Sequence, residues 1–285
     1  MARAGYRANS REEPQLIDLR SRGNHPFLLG YFSQPLPILV DVPIGWGRGL
    51  RVCPLGSATE HPFVRALVAG VSSEAEPRKA IQNELLEYYR AVQPRNAANW
   101  LDLDAVDAPG LSDQPPWALS MPWDVRAPAE WREFREQFAL QENRAAGMEM
   151  TIDAGWHFWG PVNDHKLAIE TERLLRLLES LRSHGYRRHD RIDGDVRAVV
   201  LRKGSDWRWQ VAGGEHRAAG AAALGIERVP VRVLQLVDQE DAALWPGVAA
   251  GVFTLSGALR AFNSVFEGRV PQVLADWALN NRPLP

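Results

Sequence analysis

A single cysteine, Cys53, in 285 residues excludes a disulfide framework within the chain. Neither sign of charge is in excess: 33 Lys and Arg against 35 Asp and Glu give a formal net charge of −2. The broad basic surplus of a nucleic-acid binder is therefore missing, although a total of this kind leaves room for a local basic patch. No run approaches the ~20 apolar residues of a membrane-crossing helix. Residues 1–10 carry charge without the apolar centre of a signal peptide, so we expect a cytoplasmic protein with no membrane partner. His157, His165, His184 and His189 lack the spacing of zinc ligands. Gly45-Trp-Gly-Arg-Gly49 lacks the Lys-Ser/Thr that completes a P-loop and reads as a turn. What is abundant is apolar: 45% hydrophobic residues suffice for the core of one large or two ordinary domains.

Residues 1–30 are polar and expected to be irregular, and residues 35–43 read as a strand bracketed by Pro35 and Pro43. A helix is expected over residues 78–92, where Ile81, Leu85, Tyr88 or Tyr89 and Val92 fall on one side before Pro94. Five prolines between Pro109 and Pro128 mark residues 101–128 as a long linker, tied to a core by Trp117 and Trp123. Trp131, Phe134 and Phe138 mark one face of a further helix, and a domain boundary falls near Gly147.

The densest signal lies in residues 207–234. Trp207, Trp209 and Val211 alternate with Arg208, Gln210 and Ala212, the period of a strand with one buried face. Gly213 and Gly214 then reverse the chain and leave room for a ligand to approach the backbone. A helix of small residues follows. Its Gly220 costs about 1 kcal/mol relative to Ala unless close packing offsets it. Gly225 ends the helix, and Val229, Val231 and Val233 form a strand whose Pro230 favours an edge or a strand start. Glu215, His216 and Arg217 stand at the mouth of the helix, where unpaired N–H groups and about half a positive charge stabilise an anion. Arg217 suits two-pronged contact with a phosphate, or a carboxylate within the fold. His216 either donates to phosphate or fixes the turn. Glu215 either positions Mg²⁺ or answers the helix dipole.

A second cluster precedes this one. Asn163 or Asp164 caps a helix that runs to Gly185 with Leu174, Leu177, Leu178 and Leu181 inward. Lys166, Glu170 and Arg173, spaced by four and three, share one side of it. They either face a ligand or form a solvated stripe worth ~0.3 to 0.5 kcal/mol per pair. Trp156, Phe158 and Trp159 either stack on a base or fill the core.

Gly214-Glu-His-Arg217, Leu224-Gly225 and Val229-Pro-Val231, preceded by the leucine-rich helix that ends at Gly185, resemble the signature of the ParB and sulfiredoxin superfamily over about residues 150–237. The resemblance implies a small mixed sheet with helices in the C-terminal half and says nothing of residues 1–145; with an α/β N-terminal region of unknown architecture, the expected fold class is α+β. The resemblance divides the chain into 1–146 of unknown role, a 147–237 nucleotide-binding domain and a 238–285 helical extension. Members of the superfamily include CTP-binding partition proteins, ATP-dependent sulfinic acid reductases and kinases of free serine. Glu215 stands where sulfiredoxins carry their catalytic cysteine, so sulfinic acid reduction is not expected. Residues 238–285 show no helix-turn-helix pair, so DNA binding of the partition type is not expected either.

Two functional expectations follow from the resemblance. The first is a Mg²⁺-dependent phosphotransferase that uses ATP or another nucleoside phosphate on a hydroxyl of a small metabolite such as an amino acid or sugar. Gly213, Gly214, Glu215, His216, Arg217, Arg173 and Lys166 would hold the nucleotide, with Glu215 at the metal. Glu170, which shares a helix side with Arg173, or Asp164 would orient the acceptor hydroxyl. The second is a nucleotide-responsive regulatory protein without turnover. The sequence leaves the oligomeric state open.

Overall fold

The computed structural model describes residues 16–280 except 34–35, 57, 59 and 189–194. Residues 1–10, Pro35 and His189, all used above, lie outside the described residues. Four short strands come early in the chain: β1 (Ile17–Asp18), β2 (Ile38–Pro43), β3 (Gly47–Gly49) and β4 (Cys53–Pro54). Three longer ones surround the glycine turn: β5 (Val196–Lys203), β6 (Asp206–Gly213) and β7 (Arg228–Asp238). All seven form one mixed sheet in the order β1-β2-β7-β5-β6-β3-β4. β5 pairs antiparallel with β6 and parallel with β7, while β2 adds antiparallel to β7 and β3 parallel to β6. The early strands thus flank the later three on both sides. A boundary near Gly147 does not divide this sheet, because strands from either side of it are hydrogen-bonded neighbours.

In β6, Trp207, Trp209 and Val211 are buried as the period of two predicts, but the opposite face is not open throughout: Gln210 is fully buried and donates to the Arg51 carbonyl. In β7, Val229, Val231 and Val233 are fully buried, but the strand is interior rather than an edge. Pro230 is accommodated at the strand start: it faces Asp41 of β2, one residue before the ladder to β5 begins at Val196 and Val231.

Eight helices accompany the sheet among the described residues: α1 (Pro62–Ser72), α2 (Pro77–Ala91), α3 (Pro128–Ala145), α4 (Asp164–His184), α5 (Glu215–Ala223), α6 (Pro246–Ala249), α7 (Leu255–Glu267) and α8 (Gln272–Asn280). The mixed α+β architecture agrees with the sequence reading. Asn163 caps α4 by accepting from the Lys166 N–H at 2.8 Å. A β-carbon on Gly220 would lie 2.7 Å from Leu181 Cδ1 and 3.0 Å from Leu177 Cδ2, so the helical glycine is what allows α5 to lie against α4. Residues 101–128 are tied down by buried Leu111, Leu119, Met121 and Trp123, and Arg135 of α3 donates to the carbonyls of Trp117 and Leu119. The extension packs into the same core through Phe262, Val265, Phe266, Leu274 and Trp277. No helix among the described residues is long and apolar enough to cross a membrane.

Candidate functional site

Gly214 adopts φ +81° at the cap of α5, a conformation that side chains disfavour. Gly213 is needed for a different reason. It lies opposite Arg197 in the β5–β6 register, and a β-carbon there would come within 2.5 Å of the Arg197 Nε and Nη2. The glycine pair therefore brings the guanidinium of Arg197 against the backbone at the mouth of α5, where Arg217 also stands.

Glu215 points away from this mouth. Its buried Oε1 accepts from the Leu50 N–H at 2.8 Å and lies 3.4 Å from His61 Nε2. Gly49 has no side chain that could block this approach, since any would collide with both Glu215 and His61. Leu50 and Arg51 are left-handed, at φ +44° and +74°. Three hydrogen bonds hold them so: Leu50 N–H to Glu215, Trp100 Nε1 to the Leu50 carbonyl at 2.9 Å, and Gln210 Nε2 to the Arg51 carbonyl at 2.7 Å. Glu215 thus positions a turn of the N-terminal region. No group of three or more His, Cys, Asp or Glu among the described residues is arranged to hold a metal.

Arg197, Gly213, Gly214 and Arg217 form one side of a cavity of about 630 Å³ whose other side is built by Arg51, Arg126 and α3. Six arginines line it, Arg51, Arg126, Arg135, Arg173, Arg197 and Arg217, together with Glu142 and with Glu215, whose carboxylate turns to the Leu50 N–H. Among the described residues, the side chains of Arg51, Arg126, Arg197 and Arg217 have no hydrogen bond or ion pair, and Arg197 Nε is buried. Aromatic rings fill the intervals. The expected helix face of Trp131, Phe134 and Phe138 turns toward this cavity rather than the core: Phe134 and Phe138 are 41% and 37% exposed, while the buried side of α3 is Arg135, Ala139 and Asn143. Trp156, His157 and Phe158 complete the wall, held by the hydroxyls of Tyr88 and Tyr89, which donate to the carbonyls of Phe158 and His157. Trp159 instead fills the core beside Trp100.

Under the cavity lies a buried charge cluster. Glu170 is fully buried, and its oxygens meet Lys166 Nζ at 3.0 Å, Arg173 Nη1 at 2.9 Å and His216 Nε2 at 3.0 Å. Arg173 also reaches Glu142 of α3 at 3.3 Å, and Lys166, itself fully buried, donates to Asn143 of α3 at 3.3 Å. Burial alone would raise the carboxyl of Glu170, but the hydrogen bond from His216 and the charges of His216 and Lys166 hold it well below the carboxylate range. Burial pushes His157 well below the ordinary imidazole value, so it is neutral. His216 lies flat on Phe63 of α1, with ring centroids 4.9 Å apart.

The predicted residues therefore divide. Gly213, Gly214, Glu215, His216, Arg217 and Arg173 line the cavity. Lys166 and Glu170 form neither a solvated stripe nor a ligand-facing pair but a buried support beneath it. Asp164 is exposed at the start of α4 and does not line the cavity. Sequence reading missed Arg51, Arg126, Arg135, Arg197 and Glu142. Interleaving of Arg126 and Arg135 with Trp131, Phe134 and Phe138 was a usable signal for part of that set.

Residues 159–245 match the ParB N-terminal domain. The match agrees with the resemblance carried by Gly214, Arg217 and Val229, and it encloses α4, the β5–β6 hairpin, α5 and β7. Neither the curated proteins nor the solved structures gave a match to this chain. Arg51, Arg126 and all of α3 lie outside the ParB-like segment, so the cavity is shared between that segment and the N-terminal region.

Proposed function

We propose that the chain binds a nucleoside polyphosphate in this cavity and acts as a ligand-responsive binding protein. In this reading the phosphates occupy the mouth of α5 between Arg197 and Arg217, and the base lies against the aromatic residues of α3 and residues 156–158. One observation carries it: two guanidinium groups with no hydrogen bond or ion pair among the described residues stand beside a glycine turn and a helix N-terminus, on a cavity lined with rings. A binding role is preferred to phosphoryl transfer because neither expected acceptor-orienting residue is placed for it. Glu170 is sealed among three cationic partners, and Asp164 faces solvent. Magnesium would arrive with the phosphates, since Glu215 is engaged by the Leu50 N–H. Response to the ligand is supported by the shared walls, since a molecule seated there would touch both the ParB-like segment and α3.

Phosphotransfer keeps one support. Glu142 is a carboxylate on the cavity wall, ion-paired through Oε2 with Arg173 Nη1 at 3.3 Å. Calorimetric titration with ATP, ADP, CTP and GTP, with Mg²⁺ and with EDTA, tests the binding reading. Saturable binding that persists in EDTA is expected, and heat no different from buffer for all four nucleotides would overturn it. Nucleotide consumption in the presence of serine, threonine or sugars would move the assignment to the enzyme.

A further inference from the structure

We infer that Arg51, Arg126 and Arg135, gathered around Trp131, form a second oxyanion subsite that takes a carboxylate or phosphate group. The guanidinium carbons of these residues lie 5.3, 4.9 and 4.5 Å from the Trp131 ring centroid. None of the three has an ion pair with a carboxylate among the described residues. Arg135 is 4% exposed; its Nη1 donates to the carbonyls of Trp117 and Leu119, and its Nη2 has no partner. The indole N–H of Trp131 is also buried without an acceptor.

Every free polar atom in this cluster is a donor. Only an acceptor-rich ligand completes it, and a planar guanidinium fork matches the paired oxygens of carboxylate and phosphate. The ring face softens the mutual repulsion of the cations but accepts no hydrogen bond of ordinary strength from them. Asp124 is the carboxylate whose charge reaches Arg135, and its Oδ2 accepts from the Met121 N–H. Burial, and then the charge of Arg51, push Arg135 well below its ordinary value. Arg51 is delivered by the left-handed turn that Glu215, Trp100 and Gln210 hold. The fold thus spends three hydrogen bonds on bringing a third cation to this place.

The subsite rests on the proposed function only in sharing its cavity, and its residues lie outside the ParB-like segment. Inorganic pyrophosphate and malonate are the probes, titrated calorimetrically into the wild-type chain, Arg126→Ala and Arg217→Ala. Arg126 is exposed and lies over the rings of Trp131 and Phe134, so Arg126→Ala is expected to fold, and a thermal melt checks this. Arg126→Gln serves as a second variant. Both changes should weaken pyrophosphate, malonate or both by about tenfold or more, as the loss of a charge-assisted contact does. The probe that loses affinity identifies the group as phosphate or carboxylate. Unchanged binding of both probes by Arg126→Ala, or no binding of either by the wild type, would overturn the subsite. If Arg217→Ala abolishes nucleotide binding while Arg126→Ala leaves both probes unaffected, the proposed function stands and the subsite falls. Loss confined to Arg126→Ala, with nucleotide indifferent to Arg217→Ala, keeps the subsite and removes the seat at the glycine turn.

Discussion

Two clusters of cationic side chains, one on α4 and one on the cavity wall, are treated oppositely by the fold. On α4, Lys166 and Arg173 are matched to Glu170 and Glu142, with Lys166 and Glu170 fully buried. On the cavity wall, Arg51, Arg126, Arg197 and Arg217 have no such match among the described residues. A buried charge that lacks its partner is costly, so the first cluster is read as support. Cations that the protein leaves without carboxylates on a concave surface are read as belonging to a ligand. The contrast explains why residue type alone misled: Glu170 and Arg217 both look like site residues in sequence, yet only Arg217 lines the cavity.

The sharpest way to break the comparison is Glu170→Leu, which strands Lys166 in the core. A loss of about 3–5 kcal/mol in denaturant unfolding is expected, and pairing it with Lys166→Met should recover most of that loss. A loss no larger than for a surface change would mean that the cluster is not supporting. Arg217→Ala should do the reverse: nucleotide affinity falls by about 10- to 100-fold while unfolding stability stays within about 0.5 kcal/mol. A destabilised Arg217→Ala protein would show that the guanidinium is structural.

Acid should separate the two clusters next. His157 has its folded value lowered below 6.5, so its contribution is complete above that pH and is lost as pH falls. Glu170, lowered below 4.5, adds a further loss only in stronger acid. Thermal melts between pH 8 and 5 should therefore show a decline that begins near pH 6.5 and flattens in His157→Gln. The same decline in the variant would assign it elsewhere. The smallest effect is expected for Asp164→Ala, which lies off the cavity: nucleotide affinity should change by less than about twofold. A larger change would bring the start of α4 into the site.

Much of this was legible in the chain. Period-two tryptophans, the Gly213–Gly214 turn, the small-residue helix and the valine strand are local patterns, and each became the expected element. The side shared by Lys166, Glu170 and Arg173 was also correct, because helical spacing fixes it. What spacing could not show was depth: whether that side faces solvent, a ligand or Glu142 of α3 depends on where α3 docks. Arg197 was hidden for a similar reason, since its place opposite Gly213 follows from strand register, with a shift between Arg197 and Ala198. Glu215 looked like a metal or dipole residue because its partner, the Leu50 N–H, lies 165 positions away. The boundary near Gly147 failed to divide the sheet because β2 and β3 return to flank strands that come much later.

The most direct test of the central claim is calorimetric titration of ATP and CTP into the wild-type chain and into Arg197→Ala/Arg217→Ala. The wild type is expected to bind at least one nucleotide saturably, and the double variant to lose that binding while melting at the same temperature. Equal binding by the two proteins, or none by the wild type, would contradict the claim that the unmatched arginines at the glycine turn hold a phosphate-bearing ligand.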